Sequence, residues 1–186
     1  MKHLRLLPLL LGCLMIVPSC KKDLDPDADF KDTIEYLKED YQTVVKQIPD
    51  ADGYFIEAIY ELSGKVSETD LKDLKPLKVT YLFQWVGDDD VAYLVSMERD
   101  FTTGKTSEIE KGTTSSPWQD TKLGDFEGVI SLEKALKNLK SSPHNPATAY
   151  VTLRKPVIPR TTLRYMLGDS IYVDALTGEV VGPIPD

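Results

Sequence analysis

Leu77-Lys-Val-Thr-Tyr-Leu-Phe-Gln-Trp-Val86 is the stretch that decides the fold, because its β-branched and aromatic residues favour an extended strand. The acidic segment 87–90 follows it, and a second apolar run then covers Val91-Ala-Tyr-Leu-Val-Ser-Met97. Two such runs joined by a short polar segment predict an antiparallel hairpin. We therefore expect β-sheet at the centre of this half of the chain.

Elements on either side of the hairpin follow from hydrophobic periodicity. Apolar residues recur at helical spacing over 30–48, and Tyr54–Leu62 favours a strand. In the second half, Ile130–Leu139 has the pattern of an amphipathic helix with Ser131 as its N-cap. Three further strands are predicted, and they cover residues 147–155, 161–167 and 170–174. Each half therefore places a helix before a set of strands.

Two short segments repeat the same pattern. They are Asp100-Phe-Thr-Thr-Gly-Lys105 and Asp174-Ala-Leu-Thr-Gly-Glu179, and each follows a predicted strand. An aspartate side chain can cap the turn that follows it, and glycine adopts the positive φ that such a turn requires. The shared pattern and the shared element order suggest an internal duplication.

The second half resembles the PepSY domain family. The resemblance is carried by Ser131-Leu-Glu-Lys-Ala-Leu136, at the start of the helix, and by Ile171-Tyr-Val-Asp-Ala-Leu-Thr-Gly-Glu-Val180, at the end. It implies an α+β fold of two helix-plus-antiparallel-meander repeats, with the helices packed on one face of antiparallel sheet. The repeats would cover residues 30–112, matched by pattern only, and 125–186.

PepSY-like domains are thought to bind or restrain a protein partner, so the resemblance implies a non-enzymatic binding module. The family has no catalytic residues to carry over, and Asp174, Thr177 and Gly178 are interpreted as turn architecture. A secreted peptidase or another envelope protein is the expected partner. No peptidase follows in this chain, so any inhibition would act in trans.

The N-terminus reads as a secretion signal. Lys2 and Arg5 precede the apolar run Leu6–Val17, which is shorter than the roughly 20 residues of a membrane-spanning helix. The run ends at Ser19-Cys20 and charge begins at Lys21, which resembles a bacterial lipoprotein signal. Residues 1–19 are therefore the predicted signal peptide, and 20–29 the lipidated cysteine and a polar tether.

Cys13 competes with Cys20 as the lipidated residue, and Leu10-Leu-Gly-Cys13 fits the lipobox consensus slightly better. Cleavage before Cys13 would leave a very short apolar run and a new apolar N-terminus, so Cys20 is preferred. Several acyl chains on Cys20 would hold the protein stably on a membrane. Lys21, not aspartate, follows the cysteine, and in a Gram-negative envelope this implies the outer membrane, on its periplasmic or its surface face.

Composition excludes several classes of function. Processing removes Lys2 and Arg5 from the 22 basic residues, which leaves 20 against 30 acidic residues and a net charge of about −10. Such a chain, without a basic stripe, is not expected to bind nucleic acid. Cys20 and His144 are the only mature cysteine and histidine, so disulfides, Cys–His catalysis and Cys- or His-rich metal sites are not expected. No cofactor is expected, and the chain is not predicted to be an enzyme.

Other interpretations remain open at this point. An aromatic groove containing Trp85 or Trp118 could bind a small ligand or an envelope polymer. An enzyme using carboxylates alone would need two acids to converge. A basic patch could meet an acidic partner or only the acidic groups of its own surface, and it comprises Arg154, Lys155, Arg160 and Arg164.

Overall fold

The computed structural model describes residues 33–47, 52–86, 91–114, 126–155, 162–168 and 170–182. These residues form two α-helices, nine β-strands and a single 3-10 turn at Leu71–Asp73. The helices are α1 (Thr33–Gln47) and α2 (Leu132–Lys140). The strands are β1 (Asp52–Leu62), β2 (Pro76–Val86), β3 (Ala92–Asp100), β4 (Lys105–Thr106), β5 (Glu110–Thr114), β6 (Tyr150–Arg154), β7 (Arg164–Leu167), β8 (Ile171–Asp174) and β9 (Val180–Val181).

Both helices form where the apolar spacing predicts them. In α1, Leu37, Tyr41 and Val44 are buried along one side. In α2, the hydroxyl of Ser131 accepts a hydrogen bond from the Lys134 backbone N–H at 3.3 Å, which confirms Ser131 as the N-cap. Strands β6, β7 and β8 lie within the predicted segments, whereas β1, β2 and β3 overlap theirs and extend one to three residues beyond them.

All nine strands belong to one antiparallel sheet. The order is β4-β3-β2-β1-β6-β7-β8-β9, and β5 pairs with another part of β3. Strand β1 lies between β2 and β6, and its pairing with β6 runs from Glu57 opposite Arg154 to Glu61 opposite Tyr150. This pairing joins the first and second halves of the chain into a continuous sheet.

The predicted fold class is wrong. The chain was expected to form two helix-plus-antiparallel-meander repeats, whereas the structure has a nine-stranded sheet accompanied by two described helices. One cause is the β1–β6 pairing, which joins the strands of both halves of the chain into a continuous sheet. The other is that β4 and β5 form in a polar segment for which no strand was predicted, and both pair with β3.

The hydrophobic core lies on one face of the sheet. From β2, Val79, Tyr81, Phe83 and Trp85 are all completely buried there. Both helices bury apolar side chains in this same core, which includes Leu37 and Val44 of α1 and Leu132 and Leu136 of α2. The helices meet near their N-termini, where the Thr33 hydroxyl accepts a hydrogen bond from the Leu132 backbone N–H at 3.5 Å. On the opposite face, Ile59 of β1 and Tyr150 of β6 are exposed, whereas Gln84 of β2 is completely buried.

Candidate functional site

The face of the sheet opposite the core is the candidate site, and we refer to the part of it formed by β1, β6, β7, β8 and β9 as the open face. Along β1, Ala58 and Tyr60 are buried in the core while Ile59 between them is 36% exposed, as the two-residue period of a strand requires. On β6, Tyr150 is 54% exposed. The open face consists of Glu57, Ile59, Glu61, Tyr150, Thr152, Arg154, Arg164, Met166, Tyr172 and Val181.

One line of residues on the open face is mainly apolar. Ile59 lies opposite Thr152, which lies opposite Met166, and Met166 lies opposite Tyr172, which pairs in turn with Val181. This set of five residues is the apolar row. Cross-strand neighbours on one face are in side-chain contact range, so the row forms a continuous strip across five strands.

The neighbouring line of residues is charged. Glu57 lies opposite Arg154, Arg154 opposite Arg164, and Arg164 opposite Asp174. Arg154 Nη1 lies 3.9 Å from Glu57 Oε2, at the outer limit of an ion pair. Two arginines therefore face each other directly, with an acidic residue on each side.

Neutral groups hold both guanidinium groups in place. Arg154 Nε donates a hydrogen bond to the thioether sulfur of Met166 at 3.0 Å. The Arg164 guanidinium carbon lies 3.9 Å from the centroid of the Tyr172 ring, a cation–π contact. Met166 and Tyr172 belong to the apolar row, so this row also positions the arginine pair.

Asp174 belongs to a capped turn. Its Oδ1 accepts hydrogen bonds from the backbone N–H groups of Leu176 and Thr177 at 2.9 and 2.8 Å, and its Oδ2 accepts one from the Thr162 hydroxyl at 2.5 Å. Partial burial alone would raise the pKa of Asp174, but these hydrogen bonds outweigh that effect and hold the pKa below its usual value. The oxygens of Asp174 are thus engaged by its own turn and by Thr162, although the residue lies opposite Arg164.

Gly178 completes this turn and packs against α2. Its φ is +77°, in the left-handed region that favours glycine. The Asn138 side chain donates a hydrogen bond to the Gly178 carbonyl at 2.8 Å, and a Cβ at this position would clash with Asn138. The structure thus places Asp174, Thr177 and Gly178 together in a turn that supports the end of the sheet.

A second charged group lies on the core side. Arg99 Nε donates to Asp40 Oδ2 at 2.6 Å, and Arg99 Nη2 donates to Asp40 Oδ1. The hydrogen bonds to Asp40 raise the pKa of Arg99, and the guanidinium also lies 4.6 Å from the centroid of the Tyr36 ring. Burial, together with the Asp40 charge, raises the pKa of Tyr60. This pair fixes α1 to β3, and its two-point geometry leaves no room for a ligand between the partners.

The aromatic and basic residues singled out from the sequence have different environments. Trp85 is completely buried and stacks on Tyr41 at 5.7 Å, so its indole cannot line a groove. Of the predicted basic patch, Arg154 and Arg164 are brought together, and Lys155 follows directly after β6. Trp118, Arg160, Cys13 and Cys20 lie outside the described residues.

The described residues contain neither a metal-binding cluster nor a membrane-spanning helix. No group of three or more His, Cys, Asp or Glu side chains in this part of the chain is placed to hold a metal ion. None of the helices in the described ranges has the length and hydropathy required to cross a membrane.

Comparisons with known proteins add little. No protein-family model matches the chain, and no curated protein matches it. Among solved structures, the chain is similar to a protein from Clostridium difficile 630 described as a candidate lipoprotein, with 17% identity and a TM-score of 0.44 over 78% of this chain and 89% of that one. A likeness at this level carries no argument about fold or function, and the resemblance to the PepSY family finds no support from a family match.

The apolar row was missed from the sequence. One member could have been placed from the sequence, because the two-residue period of a strand over Tyr54–Leu62 puts Ile59 on the side opposite Ala58 and Tyr60. The remaining members depend on the register between β1, β6, β7, β8 and β9, and the β1–β6 pair joins residues about 90 positions apart.

Proposed function

We propose that the mature chain is a lipid-anchored extracytoplasmic binding module that engages a protein through the open face. The observation that carries this proposal is the apolar row, a strip that crosses five strands and in which Ile59 is exposed and the other four residues are half-buried. Antiparallel sheets often leave one face in water, but that face is then usually polar. An apolar strip bordered by charged residues has the composition of a protein-binding surface, in which an apolar centre is surrounded by a polar rim.

Secreted or envelope proteins are the proposed partners, with a peptidase as the specific case. Support for a peptidase comes only from the resemblance of 131–136 and 171–180 to the PepSY family. The module acts by occupying its partner, without chemistry of its own. Its partner is therefore expected to lose or change activity on binding, while the module itself turns over no substrate.

Anchoring through Cys20 places the module in the cell envelope, and the residue after it, Lys21, favours the outer membrane. Cys20→Ser should release the protein from the membrane fraction or block its processing, whereas Cys13→Ser should do neither. Fractionation of cells followed by mass measurement of the mature protein distinguishes the two variants. Release by Cys13→Ser instead would move the anchor to Cys13.

Site-specific crosslinking tests the binding surface directly. A photo-crosslinking amino acid replaces Ile59, on the open face, and in a matched variant it replaces Lys134, an exposed residue of α2. In intact cells, the probe at Ile59 should form a discrete adduct with a protein, and the probe at Lys134 should not. Competition by added mature chain without a probe should abolish the adduct. Equal labelling at both positions would remove the open face as the binding surface.

A further inference from the structure

We propose that Arg154 and Arg164 form a binding site for a carboxylate side chain of the partner protein. This inference rests on the proposed function, because it specifies the chemistry of the partner at the same open face. The two arginines are directly opposed on β6 and β7. Each guanidinium group contacts a residue of the apolar row, Arg154 contacting Met166 and Arg164 contacting Tyr172.

Both arginines are preorganised without a close carboxylate. The thioether of Met166 orients Arg154, and the ring of Tyr172 supports Arg164 from one side. Glu57 reaches Arg154 only at 3.9 Å. A planar guanidinium in a fixed orientation matches a carboxylate with two parallel hydrogen bonds, and less conformational entropy is lost when the carboxylate binds.

Asp174 is the residue that would neutralise Arg164 in an ordinary structural ion pair, since the two are cross-strand neighbours. Its oxygens instead accept hydrogen bonds from Thr162, Leu176 and Thr177. In the described part of the chain, Arg164 Nε is buried and has no hydrogen-bond partner. The fold therefore leaves Arg164 without a carboxylate although one lies opposite.

Two like charges directly opposed across a strand pair destabilise a sheet. The arrangement has a cost in the free protein that a bound anion would relieve. A group retained at a cost to stability is typical of a functional surface. For this reason we infer that the pair serves binding and that it does not stabilise the fold.

The surroundings favour an acidic segment of another protein over other anions. A free phosphate would contact the arginines and leave Ile59, Tyr172 and the rest of the apolar row uncovered, whereas a protein can cover both. A second copy of this chain is disfavoured at long range, because each mature chain carries a net charge of about −10. The expected ligand is a segment in which an acidic residue stands beside apolar ones.

Matched peptides provide the test. Three series of fluorescent nine-residue peptides alternate apolar residues with Glu, with Gln or with Lys, and binding to the mature chain is measured by fluorescence anisotropy. We expect the Glu series to bind about tenfold or more tightly than the Gln series, because hydrogen bonds to a charged acceptor are the stronger ones. The Lys series should not bind. Raising the salt concentration should weaken the Glu peptides and leave the Gln peptides nearly unchanged.

Variants separate binding from folding. Arg154→Gln and Arg164→Gln should each weaken the Glu peptides about tenfold, with the thermal midpoint equal to or above that of the parent chain. Arg164→Lys keeps the charge but loses the planar fork, so it should also weaken binding. Lys134→Gln, on the exposed side of α2, is the control that should change neither measurement. A fall in the thermal midpoint of both glutamine variants with unchanged peptide binding would show a structural role and overturn the proposal.

Other outcomes overturn the proposal in distinguishable ways. Equal binding of the Glu and Gln series, or of neither, would remove the carboxylate site, while an adduct from the probe at Ile59 would still support the proposed function. Displacement of the Glu peptides by millimolar inorganic phosphate with equal affinity would assign the site to phosphate. Self-association of the parent chain that is lost in Arg164→Gln would assign the open face to a second copy.

Discussion

Arg99 and the pair Arg154–Arg164 lie on opposite faces of the same sheet and differ in their exposure and in their acidic partners. Arg99, on the core side, is 14% exposed and is held at two points by the carboxylate of Asp40, itself 3% exposed. Arg154, on the open face, is 44% exposed and has its acidic neighbour at 3.9 Å. The acid opposite Arg164 is engaged in a turn. Arg99 docks a helix through Asp40, whereas neither Arg154 nor Arg164 is held at two points by a carboxylate of the described residues.

This difference shows which charges are structural. A buried ion pair becomes strongly destabilising when one partner is removed, because the other is left without compensation. An exposed pair contributes little, since water screens it and both long side chains must be ordered. Removal of a charged partner should therefore cost more unfolding free energy on the core side than on the open face. Removal of an arginine should weaken peptide binding on the open face but not on the core side.

Asp40→Ala should have the largest effect. It leaves Arg99 nearly buried without its carboxylate, and such losses cost about 3–5 kcal/mol. Urea unfolding followed by circular dichroism gives the free energy of unfolding. The matched change on the open face, Glu57→Gln, should cost less than about 1 kcal/mol. If the two variants lose similar free energies of unfolding, the distinction between the buried Asp40–Arg99 pair and the more exposed Glu57–Arg154 pair is wrong.

Replacing both partners, as in Asp40→Leu with Arg99→Met, should recover much of the loss, because apolar side chains of similar size need no compensating charge. This double variant also tests whether the pair is needed for function. Since the pair lies on the core side, binding of the acidic peptides at the open face should remain unchanged in it.

Gly178→Ala should have the next largest effect. A residue with a side chain at its φ of +77° is strained by about 1–2 kcal/mol, and the added Cβ would also displace Asn138 of α2. We expect a total loss of about 2–4 kcal/mol of unfolding free energy. Gly168→Ala is the control, because its φ is +70° but a Cβ there meets no atom within 4 Å, so only the backbone strain should appear. Equal losses of unfolding free energy in the two variants would show that the contact with Asn138 of α2 adds nothing to the cost of the backbone strain.

The elements with a buried side could be predicted from the sequence. Helix α1 has apolar residues at three- and four-residue spacing, and β2 alternates Val79, Tyr81, Phe83 and Trp85 with more polar positions. Burial imposes such periods, so a single sequence shows them. Strands β4 and β5 could not be predicted in this way. Their described side chains are exposed, so no buried face imposes a pattern on residues such as Lys105 and Glu110.

The fold class and the candidate site depended on pairing between distant segments. Nothing local in Tyr54–Leu62 indicates that this strand pairs with β6 as well as with β2. The same pairing brings Glu57 beside Arg154 and continues to Arg164 and Asp174. Strand register is set by long-range packing, and a shift of one residue would turn these four charges toward the core. Sequence could therefore supply the arginines but not their arrangement.

The smallest effect is expected for Asp174→Asn, and it sharpens the comparison between the two kinds of arginine. The pKa of Asp174 is lower in the folded protein than in the unfolded chain, because the Thr162 hydroxyl and the backbone of the turn donate hydrogen bonds to the carboxylate. Its contribution to stability is therefore present above the unfolded pKa of about 3.9 and is lost as the pH falls through the folded value. Asparagine retains an acceptor oxygen but does not titrate, so the variant should be slightly less stable at pH 7 and should lose less stability than the parent chain below about pH 4. Thermal unfolding from pH 7 to pH 2.5 measures both slopes, and identical slopes would mean that the turn does not favour the charged form.

Peptide binding at Arg164 should not change in this variant, because the Asp174 carboxylate is engaged by its own turn. Tighter binding of acidic peptides to Asp174→Asn would instead show that Asp174 competes for Arg164, and the pair would then be partly neutralised by its own surface.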